Sequence, residues 1–179
     1  MARIPLIDER ASPEIGVLVA KIRGARGGQL HEFYRALLHS PGIASAWFDF
    51  NNAVRFQTRL DDRVRELAIM RVAVLTGCAY VFDVHKAQYA EPAGVSPGEV
   101  EKLRRRGKPA FRGRDGALIA YVDAMTRDVE VPDRVLKNLR GHFSDREAVE
   151  LTVLTAAYNM HTRFLKALGF EPARTKGGK

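Results

Sequence analysis

The segment from residue 61 to residue 90 restricts the possible folds more strongly than any other part of the chain. Asp61 or Asp62 can cap a helix that runs to about residue 75 and is apolar on nearly every side. Such a helix needs other elements around it, so it is predicted to lie at the centre of the fold. Thr76-Gly77 then interrupts the pattern, and a second helix is predicted from Cys78 to about Ala90. Together the two segments predict a central helical hairpin.

Start signals along the rest of the chain also indicate helices. Ser12-Pro13 and Ser40-Pro41 each pair a capping residue with a proline at the first helical position. Capping boxes, in which a hydroxyl precedes a glutamate by three residues, occur twice. No strand-like alternation extends over a useful length, so the sequence predicts an all-α helical bundle. The boxes lie at residues 96–99 and 144–147, and further helices are predicted at residues 30–38, 115–127, 132–139 and 145–168.

Length and composition favour a single domain over residues 1–179, with a short basic tail from about residue 171. A chain of 179 residues can bury a full hydrophobic core, and a hydrophobic fraction of 46% is ordinary for a globular protein. There is no secretory signal and no apolar stretch of the roughly 18 residues that a membrane helix needs, which predicts a cytoplasmic protein without membrane contact. Because the chain has one cysteine, an intrachain disulfide and a C-x-x-C dithiol are excluded.

The net charge of +8 indicates a protein that attracts anions. Seven basic residues lie between Lys102 and Arg114. A solvated helix end and loop is the simplest interpretation of this run, and an electrostatic funnel for an anionic small molecule is the alternative. None of the standard nucleic-acid-binding signatures is present, so a nucleic-acid partner is not expected.

Three residues of the central segment can carry proton or redox chemistry. Glu66 lies within the apolar helix, where a carboxylate is either paired, with Arg63 or Arg71 as candidate partners, or used in chemistry. Cys78 lies at a helix start, where backbone amides stabilise a thiolate, although a lone cysteine among apolar neighbours is often a small buried side chain. His85 shares a helical face with Cys78 and is either a core residue or a proton carrier.

Helical geometry brings Glu66 and His85 to similar heights in the predicted hairpin. Glu66 lies eleven residues before Gly77, and His85 lies eight residues after it. At about 1.5 Å of rise per residue, the two positions differ in height by about 4–5 Å. The carboxylate and the imidazole can therefore meet, directly or through water, and with the Cys78 thiol they form a candidate acid–base site.

The same residues resemble the signature of the carboxymuconolactone decarboxylase and alkylhydroperoxidase D-like superfamily. That signature is a glutamate, eleven residues, and then C-x-x-C-x-x-x-H. This chain has Glu66, eleven residues, and then Cys78 through His85, with Val81 in place of the second cysteine. Residues 41–47, 90–94 and 150–172 also resemble segments of the family. The resemblance implies a helical bundle of the alkylhydroperoxidase D-like type, assembled as a homo-oligomer, a trimer or hexamer.

The resemblance also implies two alternative activities. In the redox branch two cysteines form a disulfide, which Val81 excludes here, so a peroxidase-like antioxidant protein would use Cys78 alone with an external reductant. The decarboxylase branch acts without metal or organic cofactor on a carboxylated lactone, with glutamate and histidine moving protons and arginines holding carboxylates. We therefore expect a cofactor-free, decarboxylase-like enzyme for a small anionic substrate, with candidate catalytic residues Glu66, Cys78 and His85.

Arg71 and Tyr80 are the candidate substrate-binding residues, and no metal ligands are expected. A third hypothesis, from a different class, is a non-catalytic oligomer that binds an anionic metabolite or a protein partner through residues 102–114. These hypotheses differ in whether Glu66, Cys78 and His85 share one solvent-connected pocket.

Overall fold

Helices account for all the regular secondary structure in the part of the chain that the structure describes, and they confirm the predicted all-α fold. The computed structural model describes residues 2–105, 107 and 109–170, and the basic tail predicted from residue 171 lies outside them. None of the helices in this part is long and apolar enough to cross a membrane. The helices are α1 Pro13–Gly24, α2 Glu32–Leu37, α3 Pro41–Phe56, α4 Asp62–Thr76, α5 Ala79–Gln88, α6 Pro97–Arg104, α7 Gly113–Arg127, α8 Asp133–Arg140 and α9 Asp145–Ala167.

Several helix starts follow from the capping residues that the sequence provides. The Ser12 hydroxyl accepts a hydrogen bond from the Ile15 amide (3.2 Å). The Asp61 carboxylate accepts one from the Val64 amide (2.8 Å), so Asp61 rather than Asp62 caps α4. Both predicted capping boxes form, at the starts of α6 and α9. Each cap satisfies amides that the helix itself leaves unpaired, so these helices begin where the sequence signals predict.

Helix α4 is the centre of the bundle, as its apolar composition predicts. It packs against α5, α6, α7 and α9, and every residue from 66 to 73 is buried. Because helices cover it on several sides, this stretch has no polar face of the kind that surface helices carry. Truncation of a fully buried side chain such as Leu67 to alanine costs about 2–5 kcal/mol in a core of this kind.

Gly77 makes the turn between α4 and α5. Its φ of 66° lies in the left-handed region, which glycine adopts without the steric penalty of a Cβ. The Cys78 amide then donates a hydrogen bond to the Ala73 carbonyl (2.8 Å), which closes the end of α4. Helix α5 packs against α4. The predicted central helical hairpin is therefore confirmed.

The basic run at residues 102–114 neutralises part of its charge within the protein. Arg104 lies 3.4 Å from Glu101, and Arg114 lies 2.5 Å from Asp61. Two further basic positions of the run, 106 and 108, lie outside the described residues. A solvated helix end with local ion pairs is the interpretation that fits these contacts.

Candidate active site

Helices α4 and α5 bring a glutamate and a histidine into direct contact. Glu66 lies on the second turn of α4 and His85 on the second turn of α5. The Nδ1 atom of His85 is 2.5 Å from Oε2 of Glu66. Both residues are buried, with relative exposures of 5% for His85 and 2% for Glu66. The similar heights that the hairpin geometry predicts therefore result in a direct hydrogen bond.

The protonation state of His85 follows from its burial. Burial lowers the pKa of His85, and the hydrogen bond and charge of Glu66 offset part of that decrease. The imidazole is therefore neutral near pH 7, and because a carboxylate only accepts, Nδ1 carries the proton that is donated to Glu66. Nε2 is left as an acceptor, with the Tyr158 hydroxyl 3.4 Å away. A carboxylate that orients an imidazole in this tautomer is an arrangement used by general bases.

A cavity of about 60 Å³ lies beside His85. Its lining comes from the connection between α1 and α2 and from helices α2, α3, α5 and α9. Eight of the thirteen lining side chains carry an aromatic or imidazole ring, so most of the wall is rigid and flat. Arg26, Tyr80 and Tyr89 are half-buried members of the lining and mark the side that meets solvent. The volume is well under half of the roughly 150 Å³ that admits a benzene molecule.

Arg55 of α3 is a buried cation at this cavity that sequence analysis missed. Its Nη2 atom lies 3.7 Å from Oε1 of Glu66, and its guanidinium lies 4.6 Å from the ring centroid of Tyr89. Burial by itself lowers the pKa of Arg55, but Tyr158, Glu66 and Tyr89 raise the pKa by more, so the guanidinium stays charged. The sequence did contain a signal, because Arg55 follows the buried Phe48 by seven residues, on the apolar stripe of α3.

Four further titratable side chains of the lining are held in their neutral forms. Burial lowers the pKa of His161 to about 3 and raises the pKa of Tyr158 to about 12. Burial likewise raises the pKa of Tyr80 to about 12 and lowers the pKa of His31. The charges that remain are two lining arginines, at positions 26 and 55, against the one carboxylate behind His85. This excess of positive charge favours an anionic ligand.

Cys78 is buried but does not line the cavity. Its relative exposure is 2%, and it borders a separate surface groove together with Phe82 and Arg104. Cys78 is the N-cap residue of α5, with φ −92° and ψ 85°. Because the N-cap residue lies outside the regular helix, the helical spacing does not place the Cys78 side chain beside His85 at the cavity. Val81, which stands where the signature has its second cysteine, lines the cavity instead.

Arg71, one of the two predicted substrate-binding residues, lies away from the cavity, whereas Tyr80 lines it. The Arg71 guanidinium donates to both carboxylate oxygens of Asp123, at 2.5 and 2.8 Å. It also donates to the backbone carbonyls of residues 103, 105 and 107, at 3.0, 2.6 and 2.7 Å. All five donors of this guanidinium are used within the protein. Contrary to the prediction, Arg71 anchors the segment after α6 to α4 and α7, and its donors are not open to a substrate.

The ion pairs of Glu66 also differ from the predicted ones. Arg63 pairs with Glu99 at 2.5 Å and with Asp115 at 2.7 Å, and not with Glu66. The arginines close to Glu66 are Arg55, at 3.7 Å, and Arg65, at 4.0 Å. The alternative of a structural pair with Arg63 or Arg71 is therefore wrong for this carboxylate.

The chemistry that these side chains can supply is proton transfer and anion binding. The His85 imidazole can accept or return a proton through Nε2, and the lining arginines can hold a negative charge nearby. No group of three or more His, Cys, Asp or Glu side chains within residues 2–105, 107 and 109–170 is arranged to hold a metal ion.

Sequence comparison relates this hairpin to a known protein family. The model of the carboxymuconolactone decarboxylase family matches residues 41–113, the part of the chain that contains Glu66, Cys78, Val81 and His85. Uncharacterized protein YnjA from Escherichia coli (strain K12) is 28% identical over 115 residues. The match covers 64% of this chain and 63% of YnjA, which is less than two thirds of that relative's length.

Solved structures show the same architecture. A protein of unknown function from Agrobacterium tumefaciens superposes with a TM-score of 0.68 at 29% identity, covering 75% of this chain and 94% of that chain. The AhpD core of an uncharacterized peroxidase-related protein from Ralstonia eutropha superposes with a TM-score of 0.81, covering 97% of this chain and 93% of that chain. Its 19% identity makes this a likeness of fold alone. Together with the spacing from Glu66 to His85, the family match over residues 41–113 and the Agrobacterium tumefaciens structure support placing this chain in the carboxymuconolactone decarboxylase and alkylhydroperoxidase D-like superfamily.

Proposed function

We propose that this chain is a decarboxylase-like enzyme that performs acid–base chemistry on a small anionic substrate. His85 is the proposed catalytic residue and Glu66 the residue that positions it. The observation that carries the proposal is the 2.5 Å contact between the two side chains in the wall of a cavity. Burying two ionisable groups is costly, so their presence in the cavity wall indicates a use. Since Nδ1 of His85 contacts Glu66, Nε2 is directed away from the carboxylate and can exchange a proton.

The proposed role of His85 is to handle the proton that decarboxylation consumes. As CO₂ leaves, the breaking carbon–carbon bond leaves its electron pair on the substrate carbon. A proton taken from solvent and delivered through Nε2 neutralises that carbanion, and Glu66 stabilises the imidazolium while it exists. Arg55 lies beside the same carboxylate and offsets its charge, so a second anion can approach the site.

The substrate class proposed is a carboxylated lactone, which the decarboxylase branch of the superfamily uses. A cavity of about 60 Å³ holds a carboxylate and one or two attached carbons, but not a whole lactone. The ring would therefore remain at the mouth, against the half-buried side chains of Tyr80 and Tyr89. Arg26, also half-buried at the cavity, supplies positive charge on that side.

The test is turnover of a carboxylated lactone by the wild-type chain and by Glu66→Gln and His85→Ala. Loss of a positioned acid–base group lowers kcat by about 10²–10⁴-fold. Cys78→Ala is the matched control, because Cys78 lies in the same hairpin but does not line the cavity. Circular dichroism of each variant separates loss of chemistry from loss of fold. Unchanged turnover in both Glu66→Gln and His85→Ala would refute the proposal.

The same control addresses the alternative of a peroxidase that uses Cys78 alone. That activity needs a thiol that peroxide can reach, and Cys78 is 2% exposed and lies outside the cavity that holds the acid–base pair. If the protein is a peroxidase of this kind, Cys78→Ala loses the peroxidase activity. Neither the wild-type chain nor any of the variants then turns over the lactone. The measurements therefore separate the two activities.

The homo-oligomer, the cytoplasmic location and the non-catalytic binding role stay predictions. Exposed apolar side chains on one helix favour an assembly, since Val149, Val153 and Met160 of α9 are 62%, 38% and 40% exposed. Sedimentation of the wild-type chain and of Val153→Glu tests the assembly, which is expected to dissociate in the variant.

A further inference from the structure

Arg55 is a buried guanidinium in which the protein leaves the Nε donor without a hydrogen-bond partner among the described residues. Arg55 is 8% exposed. Its nearest carboxylate oxygen, on Glu66, lies 3.7 Å away, which is an ion pair without a hydrogen bond. A guanidinium has five donors, and a buried charged group with unfilled donors is costly unless something else completes it.

His161, on another wall of the same cavity, has the same deficiency. It is 9% exposed, lines the cavity, and its Nδ1 atom has no partner among the residues described. Its ring contacts are aromatic, with Phe33 edge-on at 4.8 Å and Tyr158 at 5.8 Å between centroids. These neighbours fix the plane of the ring but leave Nδ1 unpaired. A neutral imidazole in the tautomer with a proton on Nδ1 can donate one hydrogen bond.

We propose that Arg55 and His161 form a carboxylate subsite in this cavity, which holds the anionic group of the substrate beside His85. The proposal rests on the proposed function and names the part of the substrate that enters. A carboxylate has two acceptor oxygens, so it can take a charge-assisted hydrogen bond from the guanidinium and a neutral one from the imidazole. The negative charge of the carboxylate balances the net positive charge that remains when Glu66 is counted against Arg26 and Arg55.

The size of the cavity limits which carboxylates can enter. Its volume of about 60 Å³ is well below the roughly 150 Å³ in which benzene binds. Acetate, with one methyl group, therefore fits, whereas the aromatic ring of benzoate does not. The subsite selects a carboxylate on a narrow stem, and any ring of the substrate stays outside.

Binding of acetate by calorimetry tests the subsite without any turnover. Sodium chloride at matched ionic strength is the control for general salt effects, and benzoate is the control for size. The wild-type chain is expected to bind acetate more tightly than benzoate, whose ring has to stay at the mouth of the cavity. In Arg55→Met the acetate affinity is expected to fall at least about tenfold, because the charge-assisted hydrogen bond is lost.

The chain offers a matched control in Arg65. Arg65 also lies near Glu66, at 4.0 Å, but it does not line the cavity. Arg65→Met is therefore expected to bind acetate like the wild-type chain. Arg55→Lys keeps the charge but not the planar fork, and it serves as the second variant should Arg55→Met fail to fold; it too is expected to bind more weakly. His161→Phe is expected to weaken acetate binding by less than Arg55→Met, since it removes a neutral donor.

His85→Ala separates this proposal from the proposed function. If both are correct, His85→Ala loses turnover and keeps acetate binding. If His85→Ala retains turnover while acetate binding still depends on Arg55, the acid–base proposal fails and the subsite stands. The subsite is overturned if the wild-type chain binds no acetate, if Arg55 and Arg65 variants bind it equally, or if benzoate binds as tightly.

Discussion

Two buried arginines lie within the same bundle and differ in how well the protein satisfies them. Arg71 is fully buried, and each of its five donors has an acceptor, in Asp123 or in a backbone carbonyl. Arg55 is nearly as buried, yet it keeps an unpaired Nε and a carboxylate partner at 3.7 Å. A buried charge is stable when it is fully paired, so the saturated Arg71 belongs to the architecture, whereas the unpaired Nε of Arg55, a residue that lines the cavity, supports its proposed binding role. Burial alone does not distinguish the two.

The largest effect that tests this contrast is expected at Arg71. Arg71→Met leaves Asp123 and three carbonyls without their donor, and breaking a buried pair of this kind costs about 3–5 kcal/mol of unfolding free energy. Arg55→Met removes a guanidinium that the protein satisfies poorly and should cost less than about half as much. Urea denaturation of both variants measures the difference. Equal losses at the two positions would remove the distinction.

A smaller effect on the free energy of unfolding is expected from pH. It acts through His161, which, like Arg55, lines the cavity and has a nitrogen without a hydrogen-bond partner among the described residues. Burial lowers the pKa of His161 to about 3 in the folded state, whereas an exposed histidine has a pKa of about 6.5. As the pH falls, His161 is therefore protonated in the unfolded state at a higher pH than in the folded state. The free energy of unfolding decreases as the pH falls below about 6.5. Between pH 6.5 and 4.5 this amounts to about 2 kcal/mol.

His161→Phe should lack that part of the acid destabilisation and keep the contributions of the other histidines. Unfolding free energies of the wild-type chain and the variant, measured at the two pH values, give the difference directly. An identical pH dependence in the two proteins would mean that folding does not lower the pKa of His161.

The smallest effect is expected among the tyrosines of the cavity. The Tyr158 hydroxyl lies 3.4 Å from Nε2 of His85, at the long end of hydrogen bonding. Tyr158→Phe is therefore expected to cost about 0.5–1 kcal/mol of unfolding free energy. Tyr80→Phe, at a half-buried position of the same lining, should stay within about 0.5 kcal/mol of the wild-type chain. A larger loss at Tyr80 than at Tyr158 would contradict the assignment of Tyr158 to the hydrogen-bonded network.

The predictions from sequence succeeded where neighbouring residues determine the outcome. The cap predicted at Asp61 or Asp62, the turn predicted at Thr76-Gly77 and the two capping boxes are interactions over a few residues, and all of them form. Arg71 shows where such reasoning ends. Its partners lie at residues 103–107 and 123, more than thirty positions away, and no local pattern indicates that they meet it.

By itself, the sequence determined the all-α fold, the central hairpin and the similar heights at which Glu66 and His85 can meet, directly or through water. Those heights follow from the sequence because both residues belong to one hairpin, whose turn and helical rise fix them. The structure decided that the contact is direct. Only the tertiary structure decided that Arg55 and His161 face the pair and that Cys78 does not line the cavity. The physical reason is that α3 and α9 reach the hairpin from distant parts of the chain. Packing between helices, and not spacing along them, decides which side chains of α3 and α9 contact the hairpin. It also decides which of their charged groups lack partners.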